Sequence, residues 1–145
     1  MKVSIGAKPL VLTTPVWIIA TYDPDGRANA MTASWGGICC SRPPCVSVSL
    51  RKATATYGYL TAREAFTVGV PSDAQAAAAD YFGSVSGRDV DKIAAAGMTA
   101  VPSEHVDAPL LDELPLTLAC RLLHTLEIGL HTLFVGEIVD IKADD

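Results

Sequence analysis

The chain has 145 residues, a length typical of one folded domain, and we expect a single domain over residues 1–145. Its formal net charge of −5 argues against a nucleic acid or an anionic membrane surface as the main partner. Hydrophobic residues make up 50% of the sequence, which is high for so short a monomer. The apolar stretch over residues 10–20 is too short to span a bilayer and contains Pro15. We therefore expect a cytoplasmic protein without a signal peptide, whose apolar surface is covered by a second subunit.

The first part of the chain alternates short apolar runs with turn residues. Residues 15–22 are β-forming, and the turn sequence of residues 23–26 allows residues 27–35 to return as the partner strand. Gly36-Gly37 is predicted to end that strand. The proline-rich residues 41–44 are extended and unsuited to a central strand.

The middle of the chain predicts further strands and short helices. Residues 45–51 and 65–70 read as strands, and Thr54 or Thr56 can cap a helix between them. The remaining expectations are a helix capped by Ser72 with its alanine-rich part at residues 74–79, a helix over residues 89–96, and an irregular segment over residues 101–115.

Two long strands complete the pattern, residues 116–128 and 131–142, joined by a tight connection at Gly129-Leu130. The even-numbered positions of the first strand predict one buried face. The second strand carries apolar residues on both faces, so we expect it to be covered by the barrel interior and by a second subunit. Phe134 and Ile138 are predicted to lie in the solvent-facing patch that the second subunit covers.

The four cysteines, Cys39, Cys40, Cys45 and Cys120, include no CxxC pair. Reduced core thiols are the favoured interpretation, because adjacent cysteines rarely bond to each other. A zinc site that combines one of the first three with a histidine is a weaker alternative, since the spacing fits no common structural zinc pattern. We expect no bound metal.

Side chains suited to binding a phosphate lie at the end of the strand over residues 45–51 and directly after it. Ser49 and Arg51 share one face, Lys52 comes next, and the helix start at residues 54–56 adds hydroxyls and free N–H groups. A solvated strand end with an ordinary helix cap explains the same residues equally well. These residues alone do not separate the two interpretations.

Residues 29–35 form a second candidate site. Their small side chains let a planar ligand approach the backbone, as the edge of an isoalloxazine ring requires. Trp35 could stack on such a ring, although a buried tryptophan is more often part of a core.

Several stretches of the sequence resemble the flavoredoxins, which belong to the flavin reductase-like, FMN-binding split β-barrel proteins. The resemblance covers nearly the whole chain in the same order. Its residues are Pro15-Val16-Trp17-Ile18, Asn29-Ala30-Met31-Thr32-Ala33-Ser34-Trp35, Cys39-Cys40-Ser41-Arg42-Pro43-Pro44-Cys45-Val46, Ser49-Leu50-Arg51-Lys52, Thr56-Tyr57, Asp80-Tyr81-Phe82-Gly83-Ser84-Val85-Ser86-Gly87-Arg88-Asp89 and Gly129-Leu130-His131-Thr132-Leu133-Phe134-Val135-Gly136-Glu137.

The resemblance implies a mostly β fold: an antiparallel split β-barrel of Greek-key type with short helical insertions. It also implies a homodimer with FMN near the interface. Residues 32–35 would meet the flavin ring, and residues 49–52 with Thr56 would hold the ribityl-phosphate. The full set of implied cofactor-binding residues is Asn29, Met31, Thr32, Ala33, Ser34, Trp35, Ser49, Leu50, Arg51, Lys52, Thr56, Phe82, Ser84 and Ser86.

Relatives with reductase activity carry Gly-Asp-His near the nicotinamide, where this chain has Gly129-Leu130-His131. The resemblance makes His131 the candidate catalytic residue, although a strand-start histidine bonded to a neighbour fits as well. It also implies a covering segment after the last strand, and this sequence stops at Asp145 before one. The leading hypothesis is an FMN-dependent oxidoreductase that uses NADH or NADPH and passes electrons to a flavin or a redox protein. The alternatives are a non-enzymatic FMN electron carrier and a barrel that binds no flavin.

Overall fold

The structure is a computed structural model that describes residues 1–145, and it contains nine strands, three α-helices and one short 3-10 helix. The predicted mostly β fold with short helical insertions is confirmed. The strands are β1 (Trp17–Tyr22), β2 (Ala28–Ala33), β3 (Gly36–Ser41), β4 (Pro44–Arg51), β5 (Ala65–Val70), β6 (Ala100–Pro102), β7 (Pro109–Leu111), β8 (Leu116–Ile128) and β9 (His131–Ala143). The helices are α1 (Ala55–Arg63), α2 (Ala76–Ser84) and α3 (Lys92–Ala95), and the 3-10 helix is Asp73–Gln75.

Seven of the strands form one antiparallel sheet in the order β2-β1-β5-β8-β9-β4-β3. The two edge strands, β2 and β3, are consecutive in the chain and are separated only by Ser34 and Trp35. The sheet must therefore curl until its edges approach each other, which produces the split barrel. The backbone N–H of Ser49 donates to the Trp35 carbonyl at 2.8 Å across this junction.

The turn between β1 and β2 forms where the sequence predicts it. The Asp23 carboxylate accepts hydrogen bonds from the backbone N–H groups of Asp25 and Arg27, at 2.8 and 2.9 Å. Gly26 takes a φ of 82°, which residues with a side chain rarely adopt. This local chemistry sets the register of the first hairpin.

Strand β1 is buried on both faces, because the barrel core covers one face and the helical insertion covers the other. Ile19 packs into the barrel core with Phe66 and Phe134. Its neighbour Ile18 points the other way, into a smaller core with Phe82 and other residues of the helical insertion. No helix has both the length and the apolar character that a membrane crossing would need.

The strand predicted over residues 27–35 ends before Gly36-Gly37, at Ala33, but the glycines also begin a strand that the sequence did not predict, since β3 starts at Gly36 and pairs with β4. A Cβ atom on Gly36 would lie 2.5 Å from the Trp17 ring and 2.7 Å from the Ser47 carbonyl oxygen. The glycine therefore marks a close approach between the edge strand and its surroundings.

Two predictions in the second half of the chain also need correction. The segment over residues 101–115 is not wholly irregular, since β6 and β7 pair as a small antiparallel sheet. The helix predicted over residues 89–96 is only the single turn α3, because the Asp91 side chain caps it by accepting from the Ala94 N–H.

The β8–β9 hairpin departs from its predicted burial. The even-numbered face of β8 is buried only in its first half, and His124, Leu126 and Ile128 are exposed because the hairpin extends beyond the barrel. Phe134 does not lie in a solvent-facing patch but is fully buried in the barrel core, and Ile138 is half-buried. Two register shifts between β8 and β9 separate the packed half from the projecting half.

Candidate functional site

A cavity of about 530 Å³ opens where the two edges of the sheet meet. The ends of β2 and β4 form two of its walls, and the connection between β8 and β9 forms a third. This placement follows from the fold, because Ser34 and Trp35 connect the two edges. The lining residues are 31–35, 49–51, 54, 130 and 131, and we call this the ring cavity.

Two aromatic rings form one side of the ring cavity. The Trp35 and His131 ring centroids lie 4.9 Å apart, with 31° between the ring planes. Direct pairing of Arg51 with His131 between β4 and β9 brings the guanidinium to the same end of the cavity. Trp35 keeps 46% of its surface exposed, so a ligand can reach this aromatic ring from solvent.

A second cavity, of about 300 Å³, adjoins the first. Met31 and Thr54 line both cavities, which are therefore contiguous. Its other walls are the start of α1 and the end of α2 with the residues that follow it. The lining residues are 31, 53–56, 82–88 and 92, and we call this the anion cavity.

The start of α1 supplies hydrogen-bond donors to the anion cavity. Thr54 caps the helix: its side chain accepts from the Tyr57 N–H at 3.3 Å and donates to the Arg51 carbonyl at 2.9 Å. The N–H groups of Ala55 and Thr56 have no acceptor within the helix. Ala55 and Thr56 line the cavity at the positive end of the helix dipole, which favours an anionic ligand.

Lys92 adds a buried positive charge to the same cavity. Only 5% of the residue is exposed, and its Nζ donates to the Phe82 carbonyl at 3.0 Å. Burial lowers the pKa of Lys92 to about 8, with no carboxylate acting in the opposite direction. A buried ammonium without a countercharge is costly, and an anion in the cavity would relieve that cost.

Hydrogen bonds hold the walls of the anion cavity together. The Arg88 Nη1 donates to the Ala53 carbonyl at 3.0 Å, which ties the insertion to the start of α1. The Asn29 Nδ2 donates to the Thr56 hydroxyl at 2.8 Å, and both residues are buried. The cavity is therefore already shaped by the protein itself.

Most residues that the resemblance implies as cofactor-binding line one of the two cavities, but Asn29 and Lys52 do not. Asn29 supports Thr56 from behind, and the Lys52 Nζ pairs with Glu127 at 3.0 Å. Whether the lining residues contact a flavin stays a prediction. The ring cavity holds Met31, Thr32, Ala33, Ser34, Trp35, Ser49, Leu50, Arg51 and His131, and the anion cavity holds Met31, Thr56, Phe82, Ser84 and Ser86.

Sequence reasoning missed Arg88 and Lys92 as site residues. They are the only basic residues of the insertion between Pro71 and Gly97, which is the one signal that could have singled them out. The burial of Lys92 and the hydrogen bond from the exposed Arg88 to Ala53 depend on packing between the insertion, β2 and the start of α1. The structure contains no group of three His, Cys, Asp or Glu side chains that could hold a metal ion.

Residues 10–145 match the family model described as Flavin reductase like domain. The chain belongs to this family. It superposes on the flavoredoxin of Desulfovibrio vulgaris (Miyazaki F) with a TM-score of 0.94 and 51% identity, covering 100% of this chain and 78% of that one. Flavoredoxin from Methanosarcina acetivorans gives a TM-score of 0.93 at 28% identity, covering 100% and 76%.

Among sequence relatives, an FMN reductase (NADH) of Stutzerimonas stutzeri is 28% identical over 134 residues, which is 92% of this chain and 74% of that protein. The chain spans 67%, 52% and 64% of the length of three other curated relatives, from Archaeoglobus fulgidus, Aeropyrum pernix and Pyrococcus abyssi.

Proposed function

We propose that the chain binds FMN across the two contiguous cavities and acts as an NAD(P)H-dependent flavin reductase or a flavoredoxin. The observation that carries the proposal is the junction of an aromatic-walled cavity with a cavity that holds a buried, uncompensated ammonium. A flavin mononucleotide has the matching parts, a flat ring system and a terminal phosphate. The names of the two flavoredoxin relatives and the FMN reductase support the same ligand class.

The anion cavity would hold the phosphate. Lys92 and the free N–H groups of Ala55 and Thr56 provide charge and directed donors, and the Thr56 hydroxyl adds another polar group. Arg51 would approach from the boundary with the ring cavity. The donors form one compact group, which favours FMN over a dinucleotide such as FAD.

The ring cavity would hold the isoalloxazine. When bound, FMN supplies two-electron chemistry, in which reduced nicotinamide is oxidised as it gives up a hydride and the two electrons then pass to an acceptor. The Trp35 and His131 rings would orient the planar groups, and the backbone of residues 32–34 would present N–H and C=O groups. His131 is our candidate for orienting the nicotinamide or tuning the flavin.

Leu130 favours a second function, a non-enzymatic electron carrier. Its side chain is 73% exposed beside His131, at the rim of the ring cavity. An exposed leucine suits contact with another protein better than it suits binding a charged dinucleotide. In that case electrons would pass between the bound flavin and a protein partner without a nicotinamide.

We also propose a homodimer. The projecting half of the β8–β9 hairpin exposes Leu126, Ile128 and Leu130, and β9 exposes Ile141 near its end. An apolar surface of this kind is normally covered, and two-fold pairing is the commonest solution. Because His131 and Leu130 belong to both this hairpin and the ring cavity, the flavin would lie near the interface.

An absorbance spectrum of the purified protein, followed by anaerobic addition of NADH and NADPH, tests the function. We expect a yellow protein that releases FMN, identified by mass spectrometry, and that is bleached by a reduced nicotinamide. Bleaching by a reduced redox protein but by neither nicotinamide would favour the carrier. A protein that takes up no flavin after reconstitution contradicts both functions.

Light scattering at low micromolar concentration tests the assembly. We expect a stable dimer, and dissociation by dilution should also release FMN. A monomer that keeps its FMN would contradict both the dimer and the location of the flavin near the interface.

A further inference from the structure

Three of the four cysteines meet at one irregularity in the edge of the sheet. The register between β3 and β4 pairs Ile38 with Val46 and then Cys40 with Cys45. Cys39 is therefore the extra residue of a β-bulge, where two residues of one strand oppose a single residue of the other. As a result, Cys39 and Cys40 both oppose Cys45.

The Cys40–Cys45 pair has the spacing that a disulfide needs. Directly paired residues of antiparallel strands have Cα atoms about 4.5 to 5.5 Å apart, within the range of about 4.4 to 6.8 Å seen in disulfides. Directly paired residues project their side chains from the same face of the sheet, and the neighbouring Cys40 thiol adds to the effect of burial in raising the pKa of the Cys45 thiol. All four thiols are free, and β3 is an edge strand with one neighbour, so a small local adjustment can close the pair.

The two thiols differ in access. Cys40 is exposed, whereas only 3% of Cys45 is exposed. Burial also raises the pKa of the Cys45 thiol. A reagent from solvent therefore reaches Cys40 first, and Cys45 can act only on a sulfur that is already beside it.

We propose that Cys40 and Cys45 form a redox-active dithiol, which a small-molecule disulfide such as oxidised glutathione converts into an intramolecular disulfide. The Cys40 thiolate attacks one glutathione sulfur, which forms a mixed disulfide and releases one glutathione thiolate that takes up a proton. The Cys45 thiol then loses its proton and attacks the Cys40 sulfur, which releases the second glutathione. Two protein thiols are oxidised, and one glutathione disulfide is reduced to two thiols.

The other two cysteines fit this role less well. Cys39 and Cys40 are chain neighbours, and a disulfide between adjacent residues is rarely formed. Cys120 lies in the barrel core, where burial raises the pKa of its thiol to about 12. Cys39, which is also exposed but is offset by the bulge, is therefore the matched control residue.

The test treats the full-length protein with oxidised glutathione, blocks the remaining thiols by alkylation, and maps the linked peptides by mass spectrometry. We expect a Cys40–Cys45 disulfide in the wild type and in Cys39→Ser, reversed by dithiothreitol. Cys40→Ser, an exposed substitution that should leave folding intact, should lose the intramolecular disulfide. Cys45→Ala should instead retain glutathione on Cys40.

Two outcomes overturn the proposal. One is a wild-type protein in which glutathione stays on Cys40 and no intramolecular disulfide forms. The other is a disulfide that includes Cys39, or a Cys40–Cys45 disulfide that disappears in Cys39→Ser. Because the readout is the covalent state of the thiols, a failure here is distinguishable from a failure of FMN binding.

Discussion

The ring cavity and the anion cavity adjoin each other but are built differently. The anion cavity contains a buried polar part, in which Thr56 is 2% exposed and Lys92 is 5% exposed and both are held by hydrogen bonds, together with exposed residues such as Ser84 and Arg88. The ring cavity is walled by residues that remain open to solvent, such as Trp35 at 46% and Leu130 at 73%. The anion cavity therefore holds a buried charged group, whereas the aromatic and apolar side chains at the ring cavity include strongly exposed ones.

This difference predicts a division of roles. A preformed, charged cavity contributes affinity, because little conformational freedom is lost when the ligand enters. An open cavity leaves one face of the ligand available to a nicotinamide, an electron acceptor or a second subunit. We therefore expect substitutions in the anion cavity to change FMN affinity most.

Replacing the buried ammonium should have the largest effect. Lys92→Met should weaken FMN binding by about a hundredfold, the scale of a buried charge-assisted contact. The same substitution should raise the melting temperature of the apoprotein, since it removes an uncompensated buried charge. FMN titration followed by fluorescence and thermal melting without FMN measure the two effects.

Lys142→Met is the matched control, because Lys142 is half-exposed and pairs with Glu104 away from both cavities. Unchanged FMN affinity in Lys92→Met would mean that the phosphate lies elsewhere.

The boundary between the cavities should show an intermediate effect. Arg51→Ala should weaken FMN binding by about tenfold, less than Lys92→Met because Arg51 is exposed. Arg51→Lys should restore part of the loss, since it keeps the charge but loses the planar fork. Equilibrium titration with FMN measures the affinity of the two variants. Equal losses of FMN affinity in Arg51→Ala and Lys92→Met would contradict the expected difference between the two cavities.

The pH dependence of apoprotein stability and of FMN affinity should report on Lys92 without any substitution. The pKa of Lys92 is about 8 in the folded apoprotein, against an ordinary value of 10.5. Between pH 8 and pH 10.5 the unfolded chain therefore keeps a proton on Lys92 that the folded protein has lost. The stability of the apoprotein should therefore rise with pH in this window. FMN affinity should fall there by about fivefold per pH unit, below the tenfold limit for one linked proton. Denaturant melts and FMN titrations at several pH values measure the two dependences. If Lys92→Met shows the same dependence of stability and FMN affinity on pH as the wild type, Lys92 is not the group responsible.

The smallest effect is expected at Lys52, where the resemblance and the structure point in different directions. Lys52 pairs with Glu127 at 3.0 Å and lines neither cavity, so Lys52→Ala should change FMN affinity by less than about twofold. A loss as large as that of Arg51→Ala would show that Lys52 leaves Glu127 for the ligand. FMN titration of Lys52→Ala and of Glu127→Ala distinguishes a lysine that stays paired with Glu127 from one that binds the ligand.

The features that could be predicted from sequence are those that local chemistry determines. The turn at residues 23–26 carries its own side-chain acceptor and a glycine, and the cap at Thr54 needs only the residues next to it. The barrel was predicted from the resemblance to the flavoredoxins. Most ring-cavity residues could be predicted because they come in two continuous stretches, residues 31–35 and 49–51.

What could not be predicted depends on contacts between distant segments. Strand β3 was missed at Gly36-Gly37 because nothing in the sequence shows that Trp17 packs over Gly36. The patterns of β8 and β9 do not reveal where the hairpin leaves the barrel, so the exposure of Leu126 and the burial of Phe134 were missed. Lys92 was missed for the same reason, since its burial depends on residues from other elements.

The position of β9 in the sheet also has a consequence for how the chain folds during synthesis. β9 lies between β8 and β4, and its pairing with β4 joins residues far apart in the sequence. Until β9 leaves the ribosome, β4 and β3 form an isolated hairpin with no neighbour on the β4 side. Closing the barrel therefore requires a long-range pairing that is intrinsically slow. A nascent chain that ends before His131 would present the unpaired edge of β4 to chaperones and to other chains.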